Sequence, residues 1–188
     1  MTSKGLGSPA RLSLPVHAAV RFVLVRPHYP ENLGASARAL KVMGFSDLAM
    51  VRPSRVCVPA HEMAFKMAVK SWDVLDQTRL FEDVPSAVAG FDLVVATTAR
   101  RGVSGVWTPR RLAPAVAERA ARNERVAVLF GNEKTGLGEA EAALASIGLR
   151  IPMAADQPSI NLAQAVQIVA YELLVAALEL RERPEKML

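Results

Sequence analysis

The segment GNEKTGLG, residues 131–138, places an amide, a carboxylate and an ammonium group between glycines directly after an apolar run. The apolar run at 126–130 is typical of a buried strand, and the Glu- and Ala-rich stretch after residue 138 is typical of a helix. The segment is therefore predicted to form a loop at the carboxyl end of a strand. Open α/β sheets bind their ligands at this edge.

The glycine spacing in this loop excludes two common phosphate-binding sites. A dinucleotide-binding loop requires G-x-G-x-x-G after a strand, and residues 131–138 do not have that spacing. A P-loop requires Lys and then Ser or Thr after its second glycine, where this chain has Leu137 and Gly138. An unrelated nucleotide-binding α/β enzyme is therefore disfavoured. Two roles stay open for Gly131, a turn that needs positive φ and a close approach to a ligand.

Three further predicted strands end in loops that carry polar or charged groups. Their sequences are VRPHYPENLGASAR at 25–38, VVATTARRGVSGVWTPR at 94–110 and RIPMAADQPSINLAQ at 150–164. Because parallel strands have their carboxyl ends at one edge of a sheet, the four loops can meet around one ligand. Ser159 is placed to be the N-cap of the closing helix, a role that is compatible with lining a pocket.

Strands alternate with helices along the chain, which predicts an α/β fold with a mainly parallel sheet covered by helices on both faces. Residues 79–91 are predicted to form a broken or Pro-initiated helix. The predicted strands are 20–27, 47–53, 92–101, 125–130 and 149–153, and the other predicted helices are 31–45, 61–76, 110–123, 138–147 and 160–183.

The length of 188 residues is that of one domain with a sizeable core. Residues 1–17 are rich in Gly, Ser and Pro and are predicted to be a flexible N-terminal tail, followed by a single domain at 18–188. Cys57 is the single cysteine and the three histidines are scattered, so we expect no disulfide and no metal site. The valines beside Cys57 favour a buried apolar thiol over a reactive one.

The sequence opens without an apolar leader. Its most apolar segment, residues 160–180, contains two glutamates and several amides, which argues against a membrane span. We therefore expect a cytoplasmic protein without membrane contact. The net charge of +5 and the pI of about 9.8, with arginine in excess, favour a polyanionic partner such as RNA.

Three segments in order, PENLGASARALKVMGF, LFGNEKTGL and IPMAADQPSINLAQAVQIVAYEL, resemble the three motifs of the SPOUT class of RNA methyltransferases, in the TrmH family, and most of all its TrmJ group. The resemblance spans residues 20–180. It implies a trefoil knot in the C-terminal half, S-adenosylmethionine as cofactor, a homodimer and methyl transfer to a ribose 2′-hydroxyl. The TrmJ group implies tRNA as substrate, at position 32 of the anticodon loop, with other tRNA sites and ribosomal RNA as alternatives.

The resemblance also implies which residues would form the cofactor site. Glu133 is a motif residue that organises the site in the family, although a solvated charge or a cap is an equally open interpretation. The implied cofactor contacts are Thr97, Thr98, Ala99, Gly131, Glu133, Ile151, Met153, Pro158, Ser159 and Ile160.

By the same resemblance, Arg38 acts on the ribose hydroxyl, Asn32 helps to place Arg38, and Ser159 and Asn161 complete the catalytic group. A guanidinium is always protonated, so we expect Arg38 to orient the hydroxyl and stabilise negative charge, not to accept a proton. Asn161, Gln164 and Gln167 recur every third residue, as a solvated stripe or as a dimer interface.

RNA contacts are expected from basic residues near the strand ends. Trp107 has two open roles, stacking on a base and packing onto its own loop. A non-catalytic RNA-binding dimer of the same fold is the alternative to an enzyme. The expected RNA contacts are Arg26, His28, Arg100, Arg101 and Arg110.

Overall fold

The computed structural model describes residues 12–99, 105–155, 157 and 159–182. Within these residues six strands form one sheet in the order β3-β2-β1-β5-β4-β6, and every neighbouring pair is parallel. The mainly parallel sheet is therefore confirmed. The strands are β1 (Val20–Val25), β2 (Leu48–Val51), β3 (Arg79–Phe81), β4 (Leu93–Thr97), β5 (Val126–Phe130) and β6 (Ile147–Leu149).

Helices follow most of the strands, as the alternating pattern predicts. Proline at the first helical position starts α2 and α6, where its missing N–H costs no hydrogen bond. The helices are α1 (Pro15–Ala19), α2 (Pro30–Val42), α3 (Glu62–Met67), α4 (Trp72–Asp76), α5 (Val84–Val88), α6 (Pro109–Ala121), α7 (Glu139–Ala142) and α8 (Leu162–Glu182).

The two faces of the sheet are covered unequally. Successive side chains of a strand point to opposite faces, so Phe22 and Leu24 of β1 join one apolar cluster while Val23 and Val25 join the other. The larger cluster includes buried residues of α2, α6 and α8, and the smaller one includes α5 and Leu137. Helices on both faces are thus confirmed, and the smaller layer leaves the loop after β5 near the surface.

The helix α8 is long and apolar enough, by length and composition, to cross a membrane. Its polar residues therefore do not exclude a span by composition alone, because they leave the mean hydropathy of the helix high. In the fold α8 packs against α2 and α6, and 44% of its most apolar window is buried. This packing covers part of the apolar surface of α8.

Several boundaries differ from the sequence prediction. Residues 79–81 form the edge strand β3, and the helix α5 begins only after the cap Asp83. The helix predicted at 79–91 is therefore wrong in its first part, because the three residues of β3 are too few to show a strand pattern. The strand expected at 149–153 lies at 147–149 instead. The helix expected at 61–76 is divided into α3 and α4.

The N-terminal boundary also needs correction. The predicted tail ended at residue 17, but α1 occupies residues 15–19, and the side chains of Leu14 and Val16 are buried in the larger cluster. The first eleven residues of the predicted tail lie outside the described part of the chain.

One ion pair is buried below the amino edge of the sheet. The side chain of Arg21 is 5% exposed, and its Nε donates to Asp47 Oδ1 at 3.1 Å while Nη1 donates to the carbonyl oxygen of Ala87 at 2.7 Å. The guanidinium also lies 4.5 Å from the centroid of the Phe91 ring. Burial lowers the pKa of Arg21, and the carboxylate of Asp47 opposes that shift.

We expect Asp47→Ala to lower the free energy of unfolding by about 3 kcal/mol, because the Arg21 charge would stay buried without its carboxylate. Glu62→Ala is the matched control, since Glu62 pairs with Lys66 one helical turn away and both side chains are mostly exposed. The control should change stability by less than about 0.5 kcal/mol. Urea unfolding followed by circular dichroism measures both values, and equal effects would contradict a buried pair.

Candidate active site

A cavity of about 510 Å³ opens at the carboxyl edge of the sheet, between the ends of β4, β5 and β6 and the segment before α8. Its size is that of a small-molecule site. Every expected cofactor residue within the described part of the chain lines it, whereas Pro158 lies outside the described residues. These lining residues are Thr97, Thr98, Ala99, Gly131, Glu133, Ile151, Met153, Ser159 and Ile160.

The cavity wall combines apolar side chains with backbone and hydroxyl groups. Phe130, Leu137, Ile147 and Leu162 supply apolar surface. The Thr97 hydroxyl donates to the carbonyl oxygen of Leu129 at 2.9 Å, which ties the end of β4 to β5. The wall therefore offers apolar surface with a few polar groups, as small-molecule sites do.

Gly131 is required by the loop itself. A Cβ atom built on this residue would lie 2.3 Å from the carbonyl carbon of Gly136 and 2.3 Å from the nitrogen of Leu137. The φ of Gly131 is not positive, so the turn explanation is wrong, and Gly136 is the residue of this loop with positive φ, at 68°. The close approach that only glycine allows is to the loop's own backbone, while the residue also lines the cavity.

Arg26 and Asn132 hold this loop against the end of β1. Asn132 Nδ2 donates to the carbonyl oxygen of Arg26 at 2.6 Å. The guanidinium of Arg26 donates to Glu141 Oε2 at 2.8 Å and to the carbonyl oxygen of Gly136 at 3.2 Å. The Arg26 charge is thus paired within the chain, and its predicted RNA contact stays a prediction. Glu141 was not predicted to take part in the site, although its position three residues after Gly138 is that of a capping residue.

The Glu133 carboxylate accepts three hydrogen bonds from the loop and helix that follow β1. Oε2 accepts from the backbone N–H of His28 at 2.9 Å, and Oε1 accepts from the N–H of Tyr29 at 3.3 Å and from Asn32 Nδ2 at 2.7 Å. Glu133 is thus a connector between two chain segments, not a solvated loop charge. Such charge-assisted bonds are about twice as strong as neutral ones.

Asn32 passes this connection on to the start of α8. Its Oδ1 accepts from Asn161 Nδ2 at 2.9 Å, and Asn161 Oδ1 in turn accepts from the N–H groups of Ala163 and Gln164 at 3.0 and 3.3 Å. Asn161 is therefore the N-cap of α8, and the N-cap role predicted for Ser159 is wrong. Ser159 is exposed and lines the cavity.

Arg38 does not join this network. It is exposed on α2 and does not line the cavity, and Asn32 bonds to Glu133 and Asn161. The expectation that Asn32 places Arg38 is therefore not met within this chain. Their separation of six residues puts the two side chains on different faces of the helix.

A shallow groove runs between α2 and α8 beside the cavity. Ala35 and Ala39 of α2, next to Arg38, line one side, and Gln164 and Gln167 of α8 line the other. Ile160 lines both the groove and the cavity, so the two are neighbours. The polar stripe of α8 therefore faces this groove.

The remaining expected RNA contacts are distributed around the same edge. His28 is partly buried, with its ring nitrogen Nε2 3.5 Å from Lys134 Nζ. Arg110 is paired with Glu172 at 2.9 Å, and this hydrogen bond raises the Arg110 pKa. Trp107 packs against the larger apolar cluster and bridges to Leu149 of β6, which are packing partners outside its own loop. Arg100 and Arg101 lie outside the described residues.

The described residues contain no group of His, Cys, Asp and Glu side chains that could hold a metal ion. Cys57 is fully buried, as the neighbouring valines predicted. Burial raises the pKa of its thiol to about 12, and the charges of Glu133 and Glu31 add to the shift.

At pH 8 we expect the Cys57 thiol of the folded protein to react with Ellman's reagent far more slowly than the thiol of the urea-unfolded chain, because it is buried and protonated. The unfolded chain loses this proton at a lower pH, so the thiol's contribution to stability falls as the pH rises towards 12. The absorbance of the released thiolate of the reagent measures the reaction rate of the folded protein and of the unfolded chain. Rapid labelling of the folded protein would contradict the buried position.

Glu133→Gln should lower the free energy of unfolding by about 2 kcal/mol, because the amide keeps one acceptor oxygen and turns an NH2 group towards backbone donors. The matched control is Glu139→Gln at the exposed start of α7, for which we expect less than about 0.5 kcal/mol. Denaturant unfolding compares the two. Equal values would show that the three hydrogen bonds of Glu133 do not connect the segments.

Comparison with known proteins gives relatives over most of the chain. The uncharacterized tRNA/rRNA methyltransferase LasT of Escherichia coli K12 is 38% identical over 156 residues, which are 82% of this chain and 67% of the relative. The tRNA (cytidine/uridine/adenosine-2′-O-)-methyltransferase TrmJ of Pseudomonas aeruginosa is 35% identical over 89% of this chain and 65% of its own length. About a third of each relative thus has no counterpart here.

Solved structures agree in fold. TrmJ from Z. mobilis ZM4 superimposes with a TM-score of 0.76 and 37% identity, covering 87% of this chain and 70% of that one. An AdoMet-bound rRNA methyltransferase from Sinorhizobium meliloti has a TM-score of 0.64 and 26% identity, covering 88% of this chain and 59% of that one. The SpoU rRNA Methylase family matches residues 19–171, which include the cavity and its network. The chain therefore belongs to the SpoU rRNA methylase family.

Proposed function

We propose that this protein transfers a methyl group from S-adenosylmethionine to the 2′-hydroxyl of a ribose in tRNA. The observation that carries the proposal is the hydrogen-bonded connection Glu133–Asn32–Asn161, which joins three separate segments beside one cavity. Membership of the SpoU family and the names of the similar methyltransferases support the reaction class.

The cavity fits this cofactor in size and in chemistry. Its apolar wall suits an adenine ring, and Thr97, Thr98 and Gly131 would hold the polar parts from the strand ends. Ile151, Met153 and Ile160 would close the other side. S-adenosylmethionine supplies a methyl group on a positively charged sulfur, which an oxygen nucleophile attacks in line. The loops of this chain would exclude water and fix that line of approach.

Arg38 would act on the acceptor ribose. The 2′-hydroxyl loses its proton as its oxygen gains the methyl group, and a protonated guanidinium cannot accept that proton. Arg38 is therefore proposed to orient the hydroxyl or a neighbouring phosphate and to stabilise the developing negative charge on oxygen. Solvent or a phosphate oxygen would take the proton.

The groove between α2 and α8 supports a homodimer as the working form. A second copy seated on this groove would lie next to the cavity, because Ile160 belongs to both. Arg38, exposed beside Ala35 and Ala39, would then stand at the junction of the two copies. This arrangement would bring Arg38 to a cavity that it does not reach within its own chain. The proposal includes a trefoil knot in the C-terminal half, which the resemblance to the SPOUT class implies, and a cytoplasmic location.

The proposed substrate site is the anticodon loop of tRNA, at position 32. The relatives named TrmJ act on cytidine and uridine riboses of tRNA. A solved structure that concerns the 2-OH methylation of C/U34 on tRNA is 28% identical to this chain and superimposes with a TM-score of 0.65. Other tRNA positions and ribosomal RNA are therefore the alternatives that the experiment must separate.

Labelled S-adenosylmethionine should methylate bulk tRNA more efficiently than ribosomal RNA, and mapping of the product should place the label on a ribose of the anticodon loop. Incorporation into ribosomal RNA alone would overturn the tRNA assignment. Calorimetric binding of S-adenosylmethionine without transfer to either RNA would indicate a non-catalytic RNA-binding dimer.

Arg38→Ala should reduce kcat for tRNA by roughly a hundredfold or more, which is the usual effect of removing one hydrogen-bond donor to the transition state. The calorimetric affinity for S-adenosylmethionine should stay unchanged, because the guanidinium acts on the acceptor ribose and not on the cofactor. Arg122→Ala is the matched control, an exposed arginine at the end of α6 on the opposite edge of the sheet. Full activity of Arg38→Ala would refute the role.

A further inference from the structure

A small aromatic and basic cluster lies next to the cavity. It consists of His28, Tyr29 and Lys134, which we call the rim cluster. Lys134 lines the cavity, and its Nζ lies 5.5 Å from the centroid of the Tyr29 ring. The rings of His28 and Tyr29 meet edge to face with centroids 4.7 Å apart.

The backbone beneath the rim cluster is fixed to the active-site network. The N–H groups of His28 and Tyr29 both donate to Glu133, and the carbonyl oxygen of His28 accepts from the Ser54 hydroxyl at 2.8 Å. Tyr29 is also the residue before the first turn of α2. The ring of Tyr29 is therefore carried on a rigid base although 42% of the residue is exposed.

An exposed aromatic ring on a rigid base, with an ammonium group over one of its two faces, is suited to an unpaired nucleotide stacked on the other face. Bases stack on tyrosine rings in single-stranded RNA recognition, and lysine contacts the phosphate. The other exposed aromatic pair, Phe65 and Trp72, is stacked ring on ring at 5.0 Å and 6°, so each ring already has a stacking partner. Among the described residues, no ring is stacked face to face on Tyr29.

We propose that the rim cluster is the platform for the target nucleotide: Tyr29 stacks on the base of the ribose to be methylated or of its neighbour, and Lys134 contacts the adjoining phosphate. This inference rests on the proposed function, because it assigns the substrate side of the same cavity. Tyr29 and Lys134 are positioning residues that bind substrate, and the reaction itself does not pass through them. Stacking accepts every base, so the platform selects an unpaired nucleotide and not a particular sequence.

The test compares Tyr29→Ala, Tyr29→Phe, Lys134→Ala and the control Phe65→Ala in steady-state methylation of bulk tRNA. Tyr29→Ala should raise KM for tRNA about tenfold, because one base loses its aromatic platform. Tyr29→Phe should keep KM within about twofold, since the ring is retained. Lys134→Ala should raise KM and make binding less dependent on salt by about one phosphate contact. Phe65→Ala should resemble the unchanged protein.

Two further readouts separate a platform from a structural role. The calorimetric affinity for S-adenosylmethionine and the oligomeric state by light scattering should be the same in all variants. Unchanged KM in Tyr29→Ala overturns the inference, and so does loss of cofactor affinity or of the oligomer in that variant. If the unchanged protein transfers no methyl group, the proposed function fails, and filter binding of bulk tRNA to the unchanged protein and to Tyr29→Ala still decides whether the ring holds RNA.

Discussion

The arrangement of this site depends on one carboxylate that is satisfied by another part of the chain. Glu133 follows β5, and its three donors come from the turn after β1 and from α2. A carboxylate in a half-buried position is costly unless its oxygens are bonded, so the loop and the turn stabilise each other. Asn32 extends the constraint to the first turn of α8 through Asn161. Three loops that are far apart in sequence are thereby held in one geometry.

The order of the strands makes this connection possible. β1 lies beside β5, and β5 lies beside β4, which pairs with β6. All four strands are parallel, so the segments after them leave the sheet at the same edge and lie side by side there. The segments after β1, β4 and β6 lead into the helices α2, α6 and α8, and buried residues of these helices belong to the larger apolar cluster. The hydrogen bonds at the edge therefore act on a frame that apolar packing has already made rigid.

Much of this could be predicted from sequence because the signals are local. Apolar runs predicted β1, β4 and β5, and the loops after the strands were expected to meet at one edge of the sheet. The individual residues around the cavity came from the resemblance to the methyltransferase motifs. The errors came from tertiary effects. Whether Asn161 or Ser159 caps α8 depends on how the chain enters the helix. The pairing of Arg26 was likewise not predictable, because its partner Glu141 is more than a hundred residues away. β3 was missed because three residues at a sheet edge carry no alternation of apolar and polar side chains.

The closure of the loop after β5 restricts how this protein could diverge. Gly131 has no space for a methyl group, Gly136 has a backbone angle that favours glycine, and Asn132 and Glu133 are bound to the neighbouring segment. Lys134 and Thr135 are exposed. The Thr135 hydroxyl donates only within the loop, to Asn132 Oδ1 at 3.4 Å, and Lys134 Nζ lies over the Tyr29 ring. Substitutions at these two positions can therefore be tolerated without a change in the backbone of the loop. A new substrate preference acquired through this loop would arise from changes at positions 134 and 135.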